Sequence, residues 1–134
     1  MRYWLLKTEP ESFSWDDLEK KGKATWDGVR NPRARNNIGV MKKGDLAFIY
    51  HTGDEKAVIG IARVEKESYP EPGDTAWLAV DIVAEKKLKN PVTLAAVKAD
   101  PDLKDMTLAR VPRLSVQSVE KEEFDKIIKM SGGK

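Results

Sequence analysis

Leu46-Ala-Phe-Ile-Tyr50, His51-Thr-Gly-Asp-Glu-Lys56 and Ala57-Val-Ile-Gly-Ile-Ala-Arg-Val64 follow one another without interruption. The outer two are short apolar runs rich in β-branched and aromatic residues, and the middle one is turn-forming. This is the pattern of two strands joined by a loop, with Gly60 at a bulge or a close approach. Tyr69-Pro70-Glu71-Pro72-Gly73-Asp74 reads as a second loop, and Ala76 to Leu88 as a long third strand. At the start, Arg2 to Lys7 reads as a buried strand that Pro10 ends. Leu114-Ser115-Val116 reads as a last short one. Helices are expected from the Ser14 cap to Gly22, from Pro32 to Val40, from the Thr93 cap to Ala99, and from Pro101 towards Leu108. Residues 121–130 form an amphipathic helix with Phe124, Ile127 and Ile128 on one stripe and Glu122–Lys126 and Asp125–Lys129 as supporting pairs. Loops join most strands where crossover helices would join a parallel sheet. The fold class is therefore α+β, a small mixed or antiparallel barrel. We expect one domain over residues 1–130 and a disordered tail over 131–134.

A chain of 134 residues with 40% hydrophobic and 34% charged residues has the balance of a globular domain. No apolar run reaches the length of a membrane span, so no membrane partner is expected, and a cytoplasmic location is. The absence of cysteine rules out disulfides and thiolate chemistry. A single histidine, His51, rules out a multi-histidine zinc site. The net charge of +2 says little about partners, but its distribution says more. The charged residues between 30 and 43 are all basic: Arg30, Arg33, Arg35, Lys42 and Lys43. Those between 9 and 19 are all acidic. A basic patch on a near-neutral protein suits a phosphate backbone met at one face, and the alternative is a solvated helix face.

Thr25-Trp26-Asp27-Gly28-Val29-Arg30-Asn31-Pro32-Arg33-Ala34-Arg35-Asn36 is the stretch hardest to explain as packing. A nucleobase is a flat, polarisable disc with a hydrogen-bonding edge. Trp26 could face it, Asp27, Asn31 and Asn36 could read its edge, and Arg30, Arg33 and Arg35 could hold flanking phosphates. The alternative is a core tryptophan in an irregular segment whose polar side chains satisfy backbone groups. There is no G-x-S-x-G elbow, no Walker loop and no dinucleotide fingerprint, and Gly28 stands alone. Two rival readings stay open. One is an enzyme acting on a modified nucleoside through His51 with Glu9 or Asp27. The other is a protein-interaction module anchored by Trp26.

Lys7-Thr8-Glu9-Pro10, Trp26 to Asn31 with Ala34-Arg35-Asn36, Tyr50-His51, Tyr69-Pro70, Pro91-Val92-Thr93-Leu94 and Arg113-Leu114-Ser115-Val116 fall in the order of the EVE domain. Across residues 1–128 the chain resembles that family. The resemblance implies a PUA-like fold, a curved mixed β-barrel flanked by short helices, related to the YTH readers of methylated adenine in RNA. It also implies a non-catalytic reader of RNA or DNA that takes a modified base into an aromatic pocket, with no cofactor and no metal. Trp26 would stack and Asp27 would meet the base edge, with Val29 and Asn31 beside them. Lys7, Thr8 and Glu9 would form the opposite wall, and Tyr50, His51, Leu114 and Ser115 the rim. Arg30, Arg33, Arg35 and Asn36 would hold the loop or reach phosphate. Three features depart from the family pattern: Thr8 in place of serine, Pro32 in place of tyrosine, and a shorter loop after Tyr69-Pro70.

Overall fold

The computed structural model describes residues 1–132. Strand β1 (Tyr3–Thr8) is followed by helix α1 (Trp15–Lys21), β2 (Lys23–Trp26), α2 (Pro32–Gly39), β3 (Leu46–His51) and β4 (Ala57–Glu71). Then come β5 (Asp74–Thr93), α3 (Leu94–Ala99), α4 (Thr107–Arg110), β6 (Val116–Val119) and α5 (Lys121–Met130). The six strands form one sheet in the order β2-β5-β4-β3-β1-β6. β1 and β3 run parallel and every other pair is antiparallel. The α+β class and the mixed sheet with flanking helices are as expected. β2 and β6 end the order without pairing to each other, so among the described residues the sheet stays open where a closed barrel would join them.

Alternation along the central strands sorts side chains to two cores. Trp4, Leu6, Ala47 and Ile49 face one, with Trp15 and Leu18 of α1 and Ala34 and Ile38 of α2. Leu5, Phe48 and Tyr50 face the other, with Val97, Leu108, Phe124 and Ile127 from the later helices. Burial on both faces is why β1 and β3 read as continuous apolar runs. No helix among the described residues is long and apolar enough to cross a membrane.

The helix caps follow the sequence closely. Ser14 and Asp17 form a reciprocal capping box on α1, Gly22 closes it at φ +82°, and Thr93 caps α3. Gly60 has both features expected of it, a register shift on either side of β4 and a buried neighbour where a side chain would go.

Several boundaries moved. The expected loop over residues 69–74 is strand up to Glu71, and the turn shrinks to Pro72-Gly73. Proline is tolerated at position 70 because β3 pairs with β4 only as far as Arg63. Beyond that, β4 has β5 on one side and an open edge on the other, where a missing N–H costs no ladder bond. Trp26, placed by sequence in an irregular segment, ends edge strand β2 opposite Val80. The last strand begins at Val116, leaving Leu114 and Ser115 in the approach to it. On α5 the pairs Glu122–Lys126 and Asp125–Lys129 do not form. Lys126 reaches across to Asp100 and Asp102, and Asp125 pairs backward with Lys121. Ser131 is buried, caps α5, and donates through Oγ to the Ile128 carbonyl at 2.6 Å, so the expected tail does not begin there. Gly133 and Lys134 lie outside the described residues.

Candidate functional site

The end of β1, the end of β2 and the loop that enters α2 enclose a cavity of about 830 Å³. That volume is in the range of small-molecule sites. Lys7, Thr8 and Glu9 line one wall, and Trp26, Asp27, Gly28, Val29, Arg30 and Asn31 another. Ser12, Phe13, Lys21, Lys23, Ala24, Thr25 and Ser115 complete it. Residues nearly twenty positions apart in sequence therefore share one concavity.

Trp26 is held by sheet register and by packing. Its backbone pairs with Val80, it is half-buried against the α1–α2 core, and its ring meets Phe13 edge-on at 6.0 Å and 73°. Edge-to-face contact leaves part of the indole free to meet a flat ligand. Beside it, Thr25 Oγ1 donates to Asp81 Oδ1 at 3.0 Å, and the Tyr69 hydroxyl donates to the same oxygen at 2.6 Å. The Asp81 hydrogen bond holds the Tyr69 phenol above its ordinary pKa, although Thr25 opposes this.

A brace whose acidic partner the sequence did not suggest fixes the loop after Trp26. Glu71, at the end of β4, accepts from Arg30 through both guanidinium nitrogens at 2.9 Å and from the Gly28 N–H at 3.0 Å. Gly28 makes that contact at φ +75°, a conformation that glycine adopts without strain. Arg30 and, after it, the Gly28 amide hold the Glu71 carboxyl below the usual carboxylate range against the effect of its burial. Arg30 and Arg35 both lie against the Trp77 ring, at 5.3 and 5.8 Å from its centroid. Asn31 accepts from the Arg33 and Ala34 amides at 2.9 and 3.0 Å and so caps α2.

On the opposite wall, the Lys7 ammonium donates to the Pro112 carbonyl at 2.6 Å and lies 5.7 Å from the Tyr50 ring centroid. Partial burial lowers its pKa from the ordinary lysine value. Thr8 Oγ1 donates to the Phe13 carbonyl at 2.6 Å, so the hydroxyl shared with serine tethers the segment that carries Phe13. Glu9 is exposed at the mouth.

The remaining candidates lie elsewhere. Tyr50, His51 and Leu114 are buried and do not line the cavity. His51 Nε2 accepts from the Trp15 backbone N–H at 3.0 Å, which puts the ring proton on Nδ1, 2.7 Å from Glu55 Oε1. Both nitrogens are therefore occupied, Nε2 at the start of α1 and Nδ1 with Glu55 in the turn after β3. Arg33, Arg35 and Asn36 sit on α2 outside the lining; Arg35 donates to the Ala76 carbonyl at 3.3 Å and to Asn36 Oδ1 at 3.1 Å. Phe13 was missed as a wall residue, though an apolar residue just before a helix cap is a known sequence signal. Glu71 was missed because it fell in the segment read as a loop. Among the described residues no group of three or more His, Asp or Glu side chains converges as a metal site would require. The cavity offers an aromatic wall, two carboxylates at its mouth, several cations and backbone groups. These suit a planar ligand with a polar edge and an anionic flank.

The chain matches the family model described as EVE domain over residues 2–130. It is 35% identical to mouse thymocyte nuclear protein 1 over 164 residues, covering 96% of this chain and 73% of that protein. The alignment is longer than the 134 residues here, so that relative carries insertions. Among solved structures, a protein of Rhodopseudomonas palustris superposes with a TM-score of 0.94 at 48% identity, covering 98% of this chain and 94% of the other. Human THYN1 in complex with DNA containing 5-methylcytosine superposes with a TM-score of 0.92 at 30% identity, covering 100% and 99%.

Proposed function

The chain belongs to the EVE domain family, and from that premise we propose that it is a non-catalytic nucleic-acid reader that takes a modified base into the Trp26 cavity. One observation carries the reading. Human THYN1, whose structure this chain matches along its whole length, is seen with DNA containing 5-methylcytosine. Trp26 supplies the stacking face, Asp27 meets the base edge, and Lys7, Thr8 and Glu9 close the other side. Base–aromatic stacking is worth about 1–3 kcal/mol, and a methyl group in a fitted apolar wall adds roughly 1 kcal/mol. Discrimination of a methylated from an unmethylated base should then be about fivefold or somewhat more. The His51 geometry favours this reading over catalysis, because neither ring nitrogen is available to a ligand.

The test is a fluorescence-anisotropy titration of matched DNA and RNA oligonucleotides carrying either cytosine or 5-methylcytosine. Wild type should prefer the methylated strand. Trp26→Ala should bind about tenfold or more weakly and lose that preference while keeping its circular dichroism spectrum. Equal affinity for all strands in both proteins would reject the reading.

A further inference from the structure

We propose that a second concavity, at the far end of α2, is a phosphate-binding site for the strand whose base enters the Trp26 cavity. It therefore rests on the base-reading function above. This concavity has a volume of about 690 Å³, and its wall includes Arg2, Val40, Lys42, Lys43 and Asp45. α2 joins the two sites: its N-cap Asn31 lines the first and its C-cap Val40 lines the second.

Three observations support the assignment. First, the basic residues of the 30–43 run, taken with Arg2, divide into two sets. Arg30 is held by Glu71 and Trp77, and Arg35 by Ala76, Asn36 and Trp77. Arg2, Arg33, Lys42 and Lys43 enter none of the ion pairs among the described residues, and all four are exposed. Second, the carboxylate in the second concavity faces inward. Asp45 is buried and accepts from the Arg2 and Lys42 amides and the Trp4 indole, so its oxygens are engaged within the fold. One exposed acid, Glu67, stands at the edge, 3.4 Å from the Lys43 amide. Third, Val40 is 46% exposed, a large apolar side chain left uncovered beside these cations. A sugar or base face would cover it while the phosphates met the lysines.

The spacing fits a strand. Pro32–Gly39 is eight residues long and spans about 12 Å, the axial length of roughly three to four nucleotides of one strand. Arg33, in the first turn of the helix, is exposed.

The experiment compares wild type, Lys42→Glu/Lys43→Glu, and a control of equal charge, Lys98→Glu/Lys104→Glu, in which both lysines are exposed, on α3 and in the turn that follows it. Each protein is titrated with 5-methylcytosine oligonucleotides that end at the modified base or extend four nucleotides on its 5′ or 3′ side, across a salt series. In wild type one extension should strengthen binding. In Lys42→Glu/Lys43→Glu that gain should vanish, and the slope of log affinity against log salt should fall by about 1.5. The preference for the methylated base should stay unchanged, and the control should keep the gain. If the 42/43 variant keeps both the wild-type slope and the extension gain while Trp26→Ala loses base preference, the second site is refuted and the base pocket stands. If the control loses as much as the 42/43 variant, the effect is general charge and the site is likewise refuted. Absence of base preference in wild type, with the 42/43 effect present, would instead reject the base pocket alone.

Discussion

At the scale of single residues, Gly60 and His51 show how α1 is seated on the sheet. A Cβ at Gly60 would lie 2.7 Å from three carbons of the Trp15 ring, closer than van der Waals contact allows. That ring is buried at the start of α1, and its backbone N–H is held by His51. It has little room to yield. Gly60→Ala should therefore destabilise the protein by about 1–3 kcal/mol, read from the urea midpoint at unchanged slope. A change below about 0.5 kcal/mol would mean that α1 slides to accommodate the methyl group. The need for glycine at 60 was legible, because an isolated glycine inside a strand run marks a close approach. The partner was not legible, because Trp15 lies on another element far away in sequence. His51 was misread for the same reason: a lone histidine beside turn residues looks like a ligand until its neighbours are known. In β3 it shares a face with Ile49, and its two nitrogens meet Trp15 and Glu55.

At the scale of elements, α2 carries the argument because its two ends border the two concavities. Asn31 sets the first end, accepting from two amides that would otherwise lack partners. Asn31→Ala should cost about 1 kcal/mol of stability. Asn31→Asp should retain the cap yet weaken oligonucleotide binding, because it puts a negative charge in the cavity wall. Denaturation and anisotropy on the same two variants separate the roles, and equal binding by wild type and Asn31→Asp would assign Asn31 to the helix alone. Elements with local signals were readable from sequence: Ser14 and Thr93 as caps, Gly22 as a stop, proline at the start of α2. The β4–β5 hairpin was not, since Tyr69 to Asp74 carries two prolines and a glycine and looks like a loop. Only the open edge of β4 makes a strand through Pro70 permissible, and an edge is a property of the sheet. Glu71 and its brace on Arg30 were hidden by that same misreading. Of the two roles expected of Arg30, loop support and phosphate contact, its guanidinium is committed to the first.

At the scale of the whole molecule, Asp45 links the first strand to the parallel neighbour it must find across forty residues of chain. Oδ1 accepts from the Arg2 amide at 3.1 Å, and Oδ2 accepts from the Trp4 indole and the Lys42 amide, each at 3.0 Å. Burial pushes the carboxyl up, but these three donors and the N-terminal charge outweigh it and hold Asp45 below the ordinary aspartate value. The depressed folded pKa means that the carboxylate contributes stability at pH values above about 3.9, where the unfolded chain is also ionised. That contribution disappears as pH falls through the lower folded value. Asp45→Asn removes the titration and sets an NH2 group against at least one buried donor, whichever way the amide turns. The variant should lose about 1–3 kcal/mol at pH 7. Urea midpoints from pH 7 down to pH 3 should show the two proteins diverging least at the acid end, because wild type alone loses the Asp45 term there. A gap that stays constant over that range would mean that the loss comes from packing and not from the charge. In that case the parallel pairing of β1 with β3 would rest on its apolar faces without the carboxylate.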